Sequence, residues 1–102
     1  MALLKKYKDY VDSESKSDLK KWGFDNNQIH RIFKFDSFDD AMLFINSIAT
    51  LSNQIDHHPD IQLFDYKYVK ISYKSHDKNA VTTKDYESAH LVDKIYDGED
   101  LW

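Results

Sequence analysis

Hydrophobic residues change their period along this chain, and each change fixes an element. Ile29, Arg31, Phe33 and Phe35 alternate with His30, Ile32 and Lys34, a period of two that predicts a strand. From Phe38 the period becomes helical. Ser37 is an N-cap with Asp40 three residues on, and the acidic first turn complements the helix dipole. Phe38, Ala41, Met42, Ile45, Ile48 and Ala49 form one apolar stripe, with Phe44 and Leu51 outside it. A helix that is apolar on more than one face sits deep or packs against another subunit. The only proline, Pro59, stops the helix, because the residue before a proline avoids the α region. Asp56 to Asp60 is then a loop.

Period two returns beyond that loop. Ile61 to Tyr66 is a short strand. Tyr68 to Ser75 is a longer one, with Val69, Ile71, Tyr73 and Ser75 on one face, while His76 shares the parity of Lys70, Ser72 and Lys74. Upstream, Leu19 to Phe24 reads as a strand that ends in the turn residues Asp25, Asn26 and Asn27, and it forms a hairpin with the 29–35 strand. At the N-terminus, Leu3, Leu4, Tyr7, Tyr10 and Val11 recur at helical spacing. Downstream, 77–80 turns the chain, and Thr82 with Asp85 opens a last helix that puts Tyr86, Ala89, Val92 and Tyr96 inward and ends at Gly98.

The expected fold class is α+β: a four-stranded antiparallel sheet with three helices packed on one face, in the order α-β-β-α-β-β-α. One domain covers 1–102, with an N-terminal helix and loop over 1–18 and a loose acidic tail over 98–102. At 102 residues and 15% aromatic the chain suits one globular domain rather than disorder.

Charge and composition narrow the function classes. The net charge is −4, and Lys5-Lys6 and Lys20-Lys21 are the densest basic pairs, so nucleic-acid binding through phosphate neutralisation is not expected. No cysteine is present, which excludes disulfides, thiolate metal sites and cysteine nucleophiles and suits the cytoplasm. The N-terminus becomes charged too early for a signal peptide, and no apolar run approaches the roughly 20 residues that span a bilayer. With two glycines there is no phosphate-cradling loop or nucleophile elbow.

The chemistry concentrates in His57, His58 and His76, with Asp56, Asp60, Asp77 and Asp85 near them. Histidine gives and takes protons near neutral pH, and carboxylates fix its tautomer and stabilise the imidazolium. Adjacent histidines in a loop are often only solvated surface. Three imidazoles can also hold zinc, but the chain lacks histidines three or four apart on a predicted helix. His30 and His90 read as surface or packing residues.

The order His57-His58-Pro59, Tyr66, His76 and Asp85 resembles the pterin-4a-carbinolamine dehydratases, a likeness that runs from about Leu19 to Val92. Ile29, Arg31, Phe33, Phe35, Phe38 and Ala41 resemble that family's strand and helix entry. Val69, Ile71 and Ser75-His76 resemble its strand before the third histidine, and Thr82, Asp85 and Ala89 its last helix. The resemblance implies dehydration of 4a-hydroxytetrahydrobiopterin to quinonoid dihydrobiopterin, in recycling of the pterin used by aromatic amino-acid hydroxylases. It implies no metal and no bound cofactor, and assembly as a homodimer or homotetramer. His57, His58 and His76 are then the catalytic candidates, with His57 and His76 moving protons and His58 holding the pterin ring or serving as an alternative acid. Asp56, Pro59, Asp60 and Asp85 bind or orient, Pro59 by stiffening the loop.

The chain departs from the pattern in places. Asn53 stands where an acid is usual, four residues before His57. Tyr73 replaces an aliphatic residue, Ser75 a threonine, and Asn79-Ala80 a turn that often contains glycine. The resemblance also implies a second kind of role. Some relatives are dimerisation cofactors of transcription factors, which would add the nucleus to the cytoplasm as a location, and others are carboxylase assembly factors. The Ser37–Ser52 helix would be the surface for such a protein partner. A small-molecule binding protein without turnover is a third reading, kept open by Asn53.

Overall fold

The computed structural model describes residues 19–25, 27–75, 77–99 and 101. Among them the chain forms β1 (Gly23–Asp25), β2 (Gln28–Lys34), α1 (Phe38–Ile55), β3 (Asp60–Phe64), β4 (Tyr68–Tyr73) and α2 (Thr83–Tyr96). The strands make one antiparallel sheet in the order β1-β2-β4-β3. Among the described residues the architecture is therefore β-β-α-β-β-α with two helices, which corrects the expectation of three. The helix expected over 3–11 falls outside the described residues. Two helices, each about 10 Å across, are enough to cover four strands spaced by about 4.8 Å.

The period-two pattern decides which face they cover. Ile29 and Phe33 on β2 and Val69, Ile71 and Tyr73 on β4 are at most 1% exposed. The register places Ile29 opposite Tyr73 and Phe33 opposite Val69, so these side chains share the helix-covered face. Ile32, with the opposite parity, is 53% exposed.

Several boundaries differ from the sequence expectation. Leu19 to Trp22 is a turn closed by the Trp22 N–H on the Leu19 carbonyl at 3.2 Å, and pairing begins only at Gly23. The cause is Trp22, which is buried and donates its indole N–H to Asp93 at 2.9 Å. β3 stops at Phe64, because Asp65 and Tyr66 both take left-handed backbone (φ 47° and 53°) in the three-residue turn 65–67 that leads to Tyr68, the partner of Phe64. Leu101 is 6% exposed and belongs to the core. Before it, α2 ends with Gly98 at φ 85° and the bonds Gly98 N–H to Ile95 O and Glu99 N–H to Lys94 O, a Schellman closure.

The buried stripe of α1 is also rotated from the expected one. Ala41, Phe44, Ile48, Leu51 and Ser52 are buried, whereas Phe38 is 48% exposed and Leu43 64%. Both stripes satisfy helical spacing, and aromatic packing chooses between them. The Phe44 ring lies 4.9 Å from Phe33 and 5.0 Å from Phe35, centroid to centroid, within the range of direct aromatic contact.

One inward position carries a charge. Arg31 on β2 donates to Asp93 of α2 at 2.6 Å, with its guanidinium 4.3 Å from the centre of the Phe33 ring. Trp22 shares the same carboxylate, so one acid pins β2, α2 and the segment entering β1. Burial raises the Asp93 pKa above its ordinary 3.8, against the opposing pull of the Trp22 hydrogen bond and Arg31. A carboxyl whose folded pKa is raised stabilises the fold fully below its unfolded value, and that contribution is lost as pH rises through the folded value. Stability of the wild type should therefore fall between about pH 4 and the raised value, and Asp93→Asn should flatten that limb whatever the offset between the two curves. Urea midpoints measured from pH 3.5 to 7 check this.

Candidate functional site

The loop that leaves α1 is shaped by its ends. Asp56 caps the helix in left-handed backbone (φ 53°), a conformation that Asp tolerates better than most residues. The His57 N–H returns to the Ser52 carbonyl at 3.2 Å, and Lys84 of α2 donates to the Asp56 carbonyl at 3.1 Å. The loop is thus tied to both helices before Pro59 leads into β3.

His57 is the better held of the two adjacent histidines. Its Nε2 lies 2.6 Å from Asp85 Oδ1, and its side chain is 12% exposed. A carboxylate can only accept, so Nε2 carries the hydrogen and Nδ1 is the nitrogen left for other chemistry. Asp85 itself is fully buried. Its second oxygen accepts from the Thr82 N–H at 2.8 Å and from the Ser75 hydroxyl at 3.0 Å. The Thr82 hydroxyl lies 2.7 Å from that of Ser75 and 3.3 Å from the same carboxylate oxygen. Asp85 is the third residue of α2, so its bond to the Thr82 N–H is half of a capping box. The positive end of the helix dipole adds to these donors.

His58 is exposed and meets a neutral partner, Asn53 Oδ1, at 3.0 Å from its Nε2. The amide in the last turn of α1 therefore orients an imidazole without bringing a charge. Asp56, His57, His58, Pro59 and Asp60 all line one open cleft of about 600 Å³. Ser75, Asp77, Lys78, Thr82 and Lys84 line it as well.

Of the residues expected at the site, His57, His58, Asp56, Pro59 and Asp60 come together around this cleft, and Asp85 stands behind His57. His76 lies outside the described residues, although both its neighbours in sequence, Ser75 and Asp77, line the cleft. Tyr66 is 56% exposed in the β3–β4 turn and is not among the lining residues. Among the described residues no three His, Asp or Glu side chains converge at metal-ligand spacing. Sequence reading did not assign roles to Ser75, Thr82 and Lys84. Thr82 was visible as an N-cap, but its link through Ser75 depends on the bridge of Ser75 to Ala80, a pairing that local pattern does not show.

The sequence profile described as pterin 4 alpha carbinolamine dehydratase matches residues 7–95, and the chain belongs to that family. A Prochlorococcus marinus (strain NATL2A) protein, named provisionally as a pterin-4-alpha-carbinolamine dehydratase, is 45% identical over 74 residues, 72% of this chain and 77% of that protein. A Sulfolobus acidocaldarius protein with the same provisional name is 32% identical over 78 residues, 76% of this chain and 85% of that protein. Among solved structures, the transcriptional coactivator/pterin dehydratase of Brucella melitensis superposes with a TM-score of 0.69 at 30% identity, covering 76% of this chain and 84% of that one. A pterin dehydratase-like RuBisCO assembly factor of the alpha-carboxysome shares the fold at a TM-score of 0.62 and 21% identity, covering 83% of this chain and 96% of that one. No helix among the described residues is long and apolar enough to cross a membrane.

The Asp85 network predicts a structural cost for its removal. Asp85→Ala leaves the Thr82 N–H and the Ser75 hydroxyl without their buried acceptor and should destabilise by about 2–4 kcal/mol. Ser75→Ala, which removes one of several donors, should cost about 1 kcal/mol. Chemical denaturation of the two variants compares them.

Proposed function

We propose that this chain is a carbinolamine dehydratase that converts a 4a-hydroxytetrahydropterin to the quinonoid dihydropterin and water. The observation that carries the reading is His57 on the wall of the cleft, bonded through Nε2 to the buried carboxylate of Asp85.

The reaction is a balanced loss of water. The bond from C4a to its hydroxyl breaks, and the hydroxyl takes up a proton as it leaves. The lone pair of the neighbouring ring nitrogen, N5, moves in to form the C=N bond, and N5 gives up its proton. One acid and one base suffice, and no electron is exchanged. With Nε2 committed to Asp85, His57 exchanges its proton through Nδ1. In this reading His76 is the second proton-transfer group, and His58, oriented by Asn53, holds the pterin ring or serves as an alternative acid. Asp56 and Asp60 offer acceptors at the rim for the pterin's amino and ring N–H groups. Each proton transfer is worth about 10²–10⁴-fold, or about 3–5 kcal/mol of barrier.

A second reading keeps the fold but not the turnover: an assembly module, with the exposed side of α1 as its surface. Leu43 at 64% and Phe38 at 48% exposure favour a protein contact there, and the carboxysome assembly factor shows that the fold serves such a role elsewhere. The same surface would serve a homodimer or homotetramer, and the enzyme would act in the cytoplasm.

Turnover separates the readings. With 4a-hydroxytetrahydropterin generated by a hydroxylase, quinonoid formation followed by absorbance should accelerate well above the spontaneous rate when the protein is added. His57→Ala and His76→Ala should each lose about 10²-fold or more, and wild-type turnover in both would end the acid–base assignment. Asn53→Ala releases an exposed hydrogen bond to His58, so KM should rise about 2- to 10-fold with a smaller change in kcat.

A further inference from the structure

The bond from His57 to Asp85 fixes one nitrogen of the imidazole but not the plane of the ring. A ring held at Nε2 alone can still turn about that contact, and the terminal torsion of histidine has broad minima. His57 also sits in a loop rather than on a helix or strand. Something else must define which way Nδ1 points.

Tyr73 supplies that constraint. Its ring lies 5.5 Å from the His57 ring, centroid to centroid, with the two planes only 11° apart, which is an offset stack. Tyr73 is the last residue of β4, fully buried, and paired with Ile29 of β2. Its ring also packs 6.4 Å from Trp22, whose indole N–H is held by Asp93. The stack therefore presents to His57 a flat surface with no freedom of its own.

The hydroxyl of Tyr73 is not what position 73 contributes. It is buried and makes no hydrogen bond of good geometry. The Ser52 hydroxyl is near it and donates its own proton to the Ile48 carbonyl at 2.7 Å, so toward Tyr73 it can only accept. An aliphatic residue of similar volume would fill the core and offer no flat face.

We propose that Tyr73 is a positioning residue for His57, its buried ring clamping the imidazole in the plane from which Nε2 meets Asp85, and so fixing the direction of Nδ1. The catalytic consequence rests on the dehydratase reading, but the clamp itself does not.

The test uses the full chain and two independent readouts. In ligand-free protein, ¹⁵N and proton NMR of the His57 ring should show a single Nε2–H tautomer, with ring contacts and ring-current shifts from Tyr73. Absence of those contacts in the wild type overturns the clamp without any variant. Tyr73→Phe keeps the ring and should preserve the His57 signals and turnover within about twofold. Tyr73→Leu should leave Nε2 protonated but shift or broaden the other His57 ring signals, and lower kcat about tenfold or more while KM stays within about twofold, because misplacement of a proton-transfer atom acts at the transition state. If Tyr73→Leu does not unfold cooperatively, Tyr73→Met, whose flexible side chain fills irregular space, is read in its place. A folded Leu or Met variant with wild-type His57 signals overturns the proposal. Absence of turnover in the wild type with the NMR pattern intact refutes the dehydratase reading and leaves the clamp standing.

Discussion

The buried carboxylate of Asp85 is the contact on which the site depends. Three separate pieces of chain meet there: the loop after α1 through His57, the segment after β4 through Ser75, and the first turn of α2 through Thr82. Burying an ionisable acid is costly unless every lone pair finds a donor. Here a histidine, a backbone N–H and two hydroxyls lie within bonding range. The arrangement makes helix entry, strand exit and loop position interdependent, so the histidine is placed by the same bonds that start α2.

A second acid, part-buried rather than fully buried, holds another part of the fold. Asp93 gathers Trp22 and Arg31, and Trp22 packs on Tyr73, which in turn stacks on His57. The two acids therefore reach the same imidazole, one by a direct hydrogen bond and the other through two aromatic rings. Neither route is a line of exposed polar residues. Both pass through the core, which is rigid because it is close-packed.

Much of this was legible in the sequence because it depends on short-range rules. Period-two alternation over 29–35 and 68–75 marks β2 and β4, Ser37 and Thr82 mark the two helix starts, and Pro59 marks the loop. What was not legible required knowledge of partners far along the chain. The rotated stripe of α1 is set by Phe44 meeting Phe33 and Phe35, and both candidate stripes obey helical spacing. Trp22 looked like a strand residue, and its indole N–H is claimed by an acid 71 residues away. The site histidines His57 and His58 were visible as a pair, but their different partners were not, since neither Asp85 nor Asn53 announces which imidazole it will meet.

That difference in partners is the strongest physical distinction between the two adjacent histidines. A carboxylate can balance the charge of an imidazolium, whereas an amide can only hold an orientation. His57 faces the first, from a side chain 12% exposed, and exposed His58 faces the second. Dehydration of a carbinolamine needs groups that change charge and groups that hold the ring still while they do so. In the proposed reaction, adjacent positions in one loop would meet these two needs because they bond to different helices, α2 for His57 and α1 for His58. A solvated surface pair would require neither the buried acid nor the aromatic stack, and it is the joint presence of the two behind one imidazole that gives His57 the first claim on the chemistry.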